Sequence, residues 1–285
     1  MEVDCEGCAG CCIDWRPLAA GDIDHERRGP YEPLDDEYNL VPLHRDEVRG
    51  FVEEGLTDAL VPRLFASENG IDVGGISVAA IDGRPAFFVG LRSVPKPVAP
   101  FGHEPTWLSS CVFLDPTTLQ CRIHDTEHYP ATCSTYPGEN LVLDVETECE
   151  RVEGEHGGDR LLDDEPPADA TPNFGPAAIG ETVFAHPDPD RIEDAITRLR
   201  DGDSTKQDRA EFIGIAAASS PGTLEIEPSY YEQVRERAAS AESWVGDAIR
   251  EWRRRTETDT ADPALATTVE ARRGATPTPG WNRDH

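Results

Sequence analysis

The stretch Cys5-Glu6-Gly7-Cys8-Ala9-Gly10-Cys11-Cys12 places four sulfurs within eight residues near the start of the chain. A Cys-x2-Cys step allows a tight turn to direct two thiolates, together with nearby backbone amides, at one cation. Adjacent residues of an extended backbone point in different directions, so the sequence leaves two alternatives open: Cys11 and Cys12 serve different metal ions, or one of them is a buried thiol. This stretch therefore predicts a fold organised around bound metal.

The remaining cysteines form a second group, and residues 150–285 contain none. They are Cys111, Cys121, Cys133 and Cys149. Three ligands at the spacing of the first group need a fourth from elsewhere, so we expect the two groups to converge in space. All-thiolate sites suit Zn²⁺, Fe–S clusters or Cu(I), and the eight sulfurs suffice for two closed four-ligand sites or for fewer ligands with spare thiols.

Two histidines bear on the ligand set. His124 and His128 lie between Cys121 and Cys133, and Cys121-x2-His124 has the spacing of a ligand pair, although a loop histidine is more often solvated. The alternative to a metal site is a set of cysteines that are merely buried or paired in disulfides. The sequence has no convincing Ser/His/Asp arrangement and no P-loop, so we assign no catalytic residue.

Acidic residues dominate the chain of 285 residues, in which 56 Asp and Glu against 26 Lys and Arg give a formal net charge of −30. Only Lys96 and Lys206 are lysines. A uniformly acidic, lysine-poor globule is typical of a halophile, whose salty cytoplasm screens carboxylate repulsion. Nucleic acid and anionic lipid are themselves negatively charged, so contact with such a surface brings no favourable release of counterions. We therefore expect a metal ion as partner, no nucleic acid and no membrane, and the sequence identifies no protein partner.

The start of the chain and its hydropathy predict a cytoplasmic protein. Met1-Glu2-Val3-Asp4-Cys5 lacks the basic region and apolar core of a signal peptide, and no stretch approaches the roughly 18 apolar residues of a membrane-spanning helix. In the reducing cytosol, cysteines are more often metal ligands or redox thiols than disulfide partners.

The residue pattern predicts an α+β protein, in which a small irregular metal-nucleated domain with short antiparallel strands and helices precedes an α-helical C-terminal region. We expect a cysteine-cluster metal-binding domain at 1–150, an acidic Gly/Pro-rich linker or excursion at 151–185, a helical region at 186–256 and a disordered tail at 257–285.

Two local patterns support this division. Residues 76–81 and 85–91 are apolar, β-branched or aromatic runs joined by Asp82-Gly83, which predicts a hairpin with a type I′ turn. Residues 229–255 carry apolar side chains at spacings of three and four, which predicts one long helix. We expect its apolar stripe to pack into the core rather than to bind a partner.

A family resemblance rests on the first motif together with Cys111-Val112-Phe113-Leu114-Asp115, Cys121-Arg122-Ile123-His124 and Pro130-Ala131-Thr132-Cys133-Ser134-Thr135-Tyr136-Pro137. Over about residues 3–150 the chain resembles the YkgJ-like family of cysteine-cluster proteins, described as a zinc- or iron-chelating domain. The ligands that the resemblance implies are Cys5, Cys8, Cys11, Cys12, Cys111, Cys121 and Cys133, with Cys149 as the eighth thiol. Tyr129 stands where the family has an arginine, and the interval from Cys121 to Cys133 is slightly long.

The favoured function is a metal-binding protein in which zinc or iron nucleates the fold. The alternative is an Fe–S oxidoreductase, the label that members of the similar family often carry, or a protein-methylation enzyme, since a related cysteine pattern is associated with flagellin lysine methylation. The chain lacks a G-x-G-x-x-G turn and the C-x3-C-x2-C spacing of radical enzymes, which weighs against this alternative. A third hypothesis is an adaptor that binds a partner through the C-terminal helix.

Overall fold

The structure is a computed structural model that describes residues 1–21, 32–168 and 175–280. Within these ranges the α-helices are α1 (Arg45–Glu53), α2 (Ala131–Thr135), α3 (Gly138–Val142), α4 (Glu148–His156), α5 (Glu193–Arg200), α6 (Lys206–Ala218), α7 (Pro228–Ser240), α8 (Trp244–Thr256) and α9 (Ala266–Val269). The strands are β1 (Glu2–Val3), β2 (Glu32–Pro33), β3 (Leu60–Val73), β4 (Ile76–Val78), β5 (Ala80–Ile81), β6 (Arg84–Leu91), β7 (Ser93–Val98), β8 (Thr106–Cys111), β9 (Leu114–Asp115), β10 (Gln120–Cys121), β11 (Leu161–Asp163) and β12 (Phe184–Ala185). The predicted α+β class is confirmed.

The chain packs as two compact units, each built from separate segments. Unit 1 comprises Met1–Asp24, Ser93–Pro172 and Trp244–His285. Unit 2 comprises His25–Arg92 and Asn173–Ser243. The chain leaves and re-enters each unit, so this division differs from the consecutive domains expected from composition.

Unit 2 is an antiparallel sheet that packs against helices. Its strand order is β12-β6-β3-β2, with β4 beside β3 and β5 beside β6. The long strand β3 pairs with β6 from Leu60 opposite Leu91 to Leu64 opposite Phe87. Helix α6, buried along most of its length, packs against α7 and the sheet, and its Phe212 ring meets Phe87 edge-on with centroids 5.0 Å apart.

The turn predicted at Asp82-Gly83 is confirmed, but the run 76–81 is not a single strand, because β4 pairs with β3 and only β5 pairs with β6. Strand β5 pairs with β6 through Ala80 opposite Pro85 and Ile81 opposite Arg84. Both turn residues have positive φ, 50° at Asp82 and 73° at Gly83, as a type I′ turn requires. The two-residue turn thereby fixes the register of β6.

Unit 1 is assembled from small antiparallel pairs and short helices. The strand pairs are β1 with β11, β7 with β8 and β9 with β10. Helix α8 packs on β7, and the ring of its Trp252 lies 6.0 Å from that of Trp107 in the neighbouring strand β8. Trp15, Phe113 and Trp252 are almost completely buried. Short strand pairs and short helices surround the cysteines, although the unit is not the continuous domain 1–150 expected from the sequence.

The single helix predicted at 229–255 is two helices, α7 in unit 2 and α8 in unit 1. The chain breaks the helix at 241–243, where Ala241 adopts a non-helical ψ of 137°. The apolar stripe is nevertheless buried on both sides of the break, at Val234 and Ala238 in α7 and at Ile249 and Trp252 in α8. It packs as core, as expected.

The linker expected at 151–185 and the tail expected at 257–285 are both more ordered than composition suggested. Residues 151–156 continue helix α4, and β11 pairs with β1. In the tail, Pro263–Leu265 and Ala271–Arg273 form 3₁₀ turns around α9, and Val269 and Glu270 are fully buried. Short turns contain too few residues to show an apolar periodicity, so the sequence does not indicate that these turns are buried. Residues 169–174 and 281–285 of these predictions lie outside the described residues.

Within the described ranges, every helix is too short or too polar to span a lipid bilayer.

Candidate metal centre

Six cysteines line one cavity of about 100 Å³ in unit 1, which we call the thiol chamber. They are Cys5, Cys8, Cys11, Cys12, Cys121 and Cys149. His124, Tyr129, Tyr136 and Glu148 also line it. Three of the cysteine-bearing segments are far apart in sequence, so the predicted convergence of the two groups is confirmed. The volume is several times the roughly 10–15 Å³ that one water needs.

The first motif folds as two consecutive tight turns. The amide of Cys8 donates to the carbonyl of Cys5 at 3.1 Å, and the amide of Cys12 donates to Ala9 at 2.8 Å. Gly10 follows the left-handed Ala9 and has no room for a side chain, because a Cβ there would lie 2.7 Å from Val152 Cγ2 of α4. This close approach packs the motif directly on the helix that carries Cys149.

Neighbouring backbone ties the same motif to the strand that ends at Cys111. Ile13 forms an antiparallel bridge with Ser110 of β8, and the amide of Asp14 donates to the carbonyl of Ser109 at 2.7 Å. Helix α4 is fixed separately, by a capping box in which Thr147 and Glu150 exchange hydrogen bonds. Regular backbone contacts therefore hold the cysteine segments together.

Cys111 and Cys133 lie beside the chamber lining. The Cys111 thiolate is near enough to raise the pKa values of Cys12 and Cys121. Cys133, in helix α2, raises the pKa of the lining residue Tyr129, after the larger effect of burial. All of the predicted cysteine ligands thus gather at or next to the chamber, and these eight described cysteines form no disulfide with one another.

Backbone amides point at several sulfurs. The amide of Gly10 donates to Cys8 Sγ at 3.4 Å. The amide of Phe113 likewise faces Cys111, and that of Ile123 faces Cys121. In each case the amide belongs to the second residue after the cysteine. Hydrogen bonds of this kind stabilise thiolates and tune metals bound to them.

Burial and mutual repulsion keep protons on most of these thiols. Burial first, then neighbouring cysteines, raises the pKa of Cys5, of Cys121 and of Cys149 to about 12 each. Cys11 and Cys12 have their sulfurs 3.9 Å apart, and a hydrogen bond between them lowers the pKa of Cys11 and raises that of Cys12. A cation among the sulfurs would offset this repulsion, so binding one should release protons.

The two histidines differ in position. His124 lines the chamber, where its ring lies 4.8 Å from that of Tyr129. Among the described residues, His128 is not part of the lining. Tyr129, another lining residue, donates its hydroxyl to the carbonyl of Cys133 at 3.3 Å, which links the lining to helix α2.

Charged groups around the chamber were not foreseen from the sequence. Arg160, inside the expected linker, donates from Nε to Cys8 Sγ at 3.2 Å. Glu148, buried in the lining, accepts a hydrogen bond from the indole of Trp15. Beneath Cys111 and Cys121, Lys96 and Glu270 form a fully buried ion pair of 2.7 Å. The sequence did contain an indication that Lys96 is buried, because this residue stands in the apolar run 94–98 of a chain that has only two lysines.

The sulfur spacing limits what the chamber can hold without movement. Among the described residues, no three cysteine sulfurs lie mutually within 4.8 Å. Four thiolates around one Zn²⁺ at about 2.3 Å would lie only about 3.8 Å from one another. A single zinc ion therefore requires the sulfurs to close in, whereas a multinuclear centre requires less movement.

Comparison with protein families matches residues 1–282 to the family of unknown function DUF7531. A comparison with curated proteins found no match, and neither did a comparison with solved structures.

Proposed function

The chain belongs to DUF7531, a family of unknown function, and from its thiol chamber we propose that it is a metal-binding protein that holds zinc or iron through cysteine thiolates. One observation carries the proposal: cysteines from the N-terminal motif, from β10 and from α4 line a single cavity. The resemblance of residues 3–150 to the YkgJ-like chelating domains points the same way.

Three features favour a metal over the alternative of inert buried cysteines. The thiols share an open space instead of being packed separately among apolar side chains. Burial raises the pKa values of Cys5 and Cys149, repulsion from neighbouring cysteines raises them further, and a cation would offset that repulsion and stabilise the thiolates. Amides already face Cys8, Cys111 and Cys121. A cytoplasmic location would keep these thiols reduced and is part of the proposal.

The ligand set proposed is the full group of Cys5, Cys8, Cys11, Cys12, Cys111, Cys121, Cys133 and Cys149. When bound, the metal would supply positive charge and folding energy to a unit whose strand pairs are short. The residues of the chain do the rest: the turns of the first motif direct its sulfurs, and Arg160 donates to Cys8.

A second candidate, an Fe–S protein, is favoured by the sulfur spacing and the chamber volume. Sulfurs that are too far apart for one ion suit a larger inorganic core. The described part of the chain supplies no observation for a methyl-transfer substrate, so that alternative rests on resemblance alone.

Anaerobic purification of the full chain tests both candidates. Metal and acid-labile sulfide are quantified, and the visible absorption spectrum is recorded. Colourless protein with bound zinc supports the chelating function, and coloured protein with iron and sulfide supports the Fe–S candidate. Cys121→Ser/Cys149→Ser should lose the metal, and His103→Ala, at an exposed histidine outside the chamber lining, is the control. Folded protein that takes up neither zinc nor iron with all thiols reduced would contradict the proposal.

A further inference from the structure

The buried ion pair beneath the thiol chamber has an unusual set of partners. Lys96 Nζ donates to the carbonyls of Val112 and Leu114, at 2.7 and 2.6 Å, and contacts Glu270 Oε1 at 2.7 Å. The two carbonyls flank Phe113, whose amide faces Cys111, as does that of Leu114. The ammonium therefore holds the turn that presents hydrogen bonds to the Cys111 sulfur.

Glu270 connects this turn to the strand of Cys121. Its second oxygen accepts from Arg122 Nε and Nη2, both at 2.9 Å, while Oε1 also accepts from the indole of Trp252 at 2.8 Å. Arg122 in turn contacts Asp115 Oδ2 at 3.1 Å. Two cations thus face two anions, and this buried network is electrically balanced.

Both sequence neighbours of Cys121 make hydrogen bonds to the C-terminal segment. Arg122, which follows it, donates to the carbonyl of Thr276 at 3.1 Å. Gln120, which precedes it, exchanges two hydrogen bonds with the backbone of Gly280, at 2.9 and 3.0 Å. We call Glu270, Thr276 and Gly280 the C-terminal clasp.

We infer that the C-terminal clasp positions Cys111 and Cys121 for the metal, with Lys96 and Glu270 as its positioning residues. This inference rests on the proposed function. Buried ion pairs contribute little net stability compared with apolar side chains of similar volume. A fully buried lysine that bonds the backbone next to a ligand, in a chain almost without lysine, is better explained by the geometry that it imposes. The contacts reach the backbone that follows Cys111 and both neighbours of Cys121, which a role in packing alone does not require.

Two variants of the full chain test the inference. Glu270→Gln keeps the shape of the side chain and removes its charge, and Gln120→Ala removes the bonds to Gly280 without touching the buried charges. Glu211→Gln is the matched control, because Glu211 is a buried acid in unit 2 that also accepts several hydrogen bonds. Each protein is titrated with Co²⁺ alone under anaerobic, reducing conditions, and the cobalt–thiolate absorption is recorded.

Alkylation of the metal-free proteins supplies a second readout, with mass spectrometry to measure the rate at each cysteine. We expect Glu270→Gln and Gln120→Ala to weaken Co²⁺ binding by about 10- to 100-fold, as for other residues that orient ligands. Labelling should accelerate at Cys111 and Cys121 but not at Cys5, and the control should match the wild type in both measurements.

The outcomes separate the two proposals. If the wild type fails to bind Co²⁺ and also takes up neither zinc nor iron, the proposed function is overturned, whatever the alkylation pattern. If the wild type binds Co²⁺ and both variants bind it within about twofold, or label Cys111 and Cys121 at wild-type rates, the clasp does not position these ligands. Equal acceleration at Cys5 would show general loosening of the unit and would also overturn the inference.

Discussion

A double-mutant cycle on Lys96 and Glu270 measures how strongly the clasp depends on its buried charges. Lys96→Met leaves Glu270 with Arg122 and Trp252, and it deprives the carbonyls of Val112 and Leu114 of their donor. Removing one partner of a buried ion pair costs about 3–5 kcal/mol, and we expect a loss in that range. Glu270→Gln leaves Lys96 facing a neutral amide and should cost about 3 kcal/mol.

The double variant should lose much less than the sum, because methionine no longer requires a carboxylate beside it. We expect a coupling free energy of about 2–3 kcal/mol. Urea unfolding of the metal-free, reduced chain measures it, with tryptophan fluorescence as the signal. Residues 25–92 and 173–243 contain no tryptophan, so this signal follows unit 1. Additive losses, within about 0.5 kcal/mol, would refute the idea that the two charges act as one buried pair.

Three further predictions concern other parts of the molecule. Cys133→Ser should weaken metal binding more than His124→Ala in a competition with a chromophoric chelator, because a serine hydroxyl stays protonated near neutral pH; the reverse order would indicate a mixed Cys/His site. Burial alone would raise the pKa of Glu211, but hydrogen bonds from His186 and Tyr231 outweigh it and lower this pKa from 4.5. Unit 2 should therefore lose stability as the pH falls from about that value. Glu211→Gln should remove this pH dependence, which urea unfolding followed by circular dichroism measures. Gly83→Ala should reduce hydrogen-exchange protection of β5 and β6 by about 1–2 kcal/mol, since φ is 73° and the site is otherwise open; unchanged protection would contradict a strained turn.

Local patterns predicted those parts of the fold that depend on local rules. Asp82-Gly83 specified its hairpin because positive φ at two consecutive positions restricts the residues that can occupy them. The positions of the cysteines predicted that the two groups converge, because three thiolates at the spacing of the N-terminal motif need a fourth ligand from elsewhere in the chain. The hypothesis that they bind metal stays a prediction.

The parts that could not be predicted depend on contacts distant in sequence. Glu270 has an unremarkable neighbourhood in sequence, and its burial follows from Lys96 and Arg122, which lie about 150–175 residues earlier. Arg160 lies in a stretch whose glycines and acids indicated a linker, yet the backbone beside it pairs with the start of the chain. The amino-acid composition of a segment indicates whether it can be exposed to solvent, but it does not identify the distant residues that the segment contacts in the fold.

The interleaved path of unit 1 has a consequence for its biosynthesis. The clasp residue Glu270 is translated about 150 residues after Cys121, which at roughly 5–20 residues per second means about 7–30 s later. During that interval the nascent thiols emerge before the carboxylate that balances Lys96 exists. The proposed cysteine ligands are therefore synthesised before the residues that position them. Reducing conditions around the ribosome and the timing of metal supply should both affect the fraction of new chains that form the complete site.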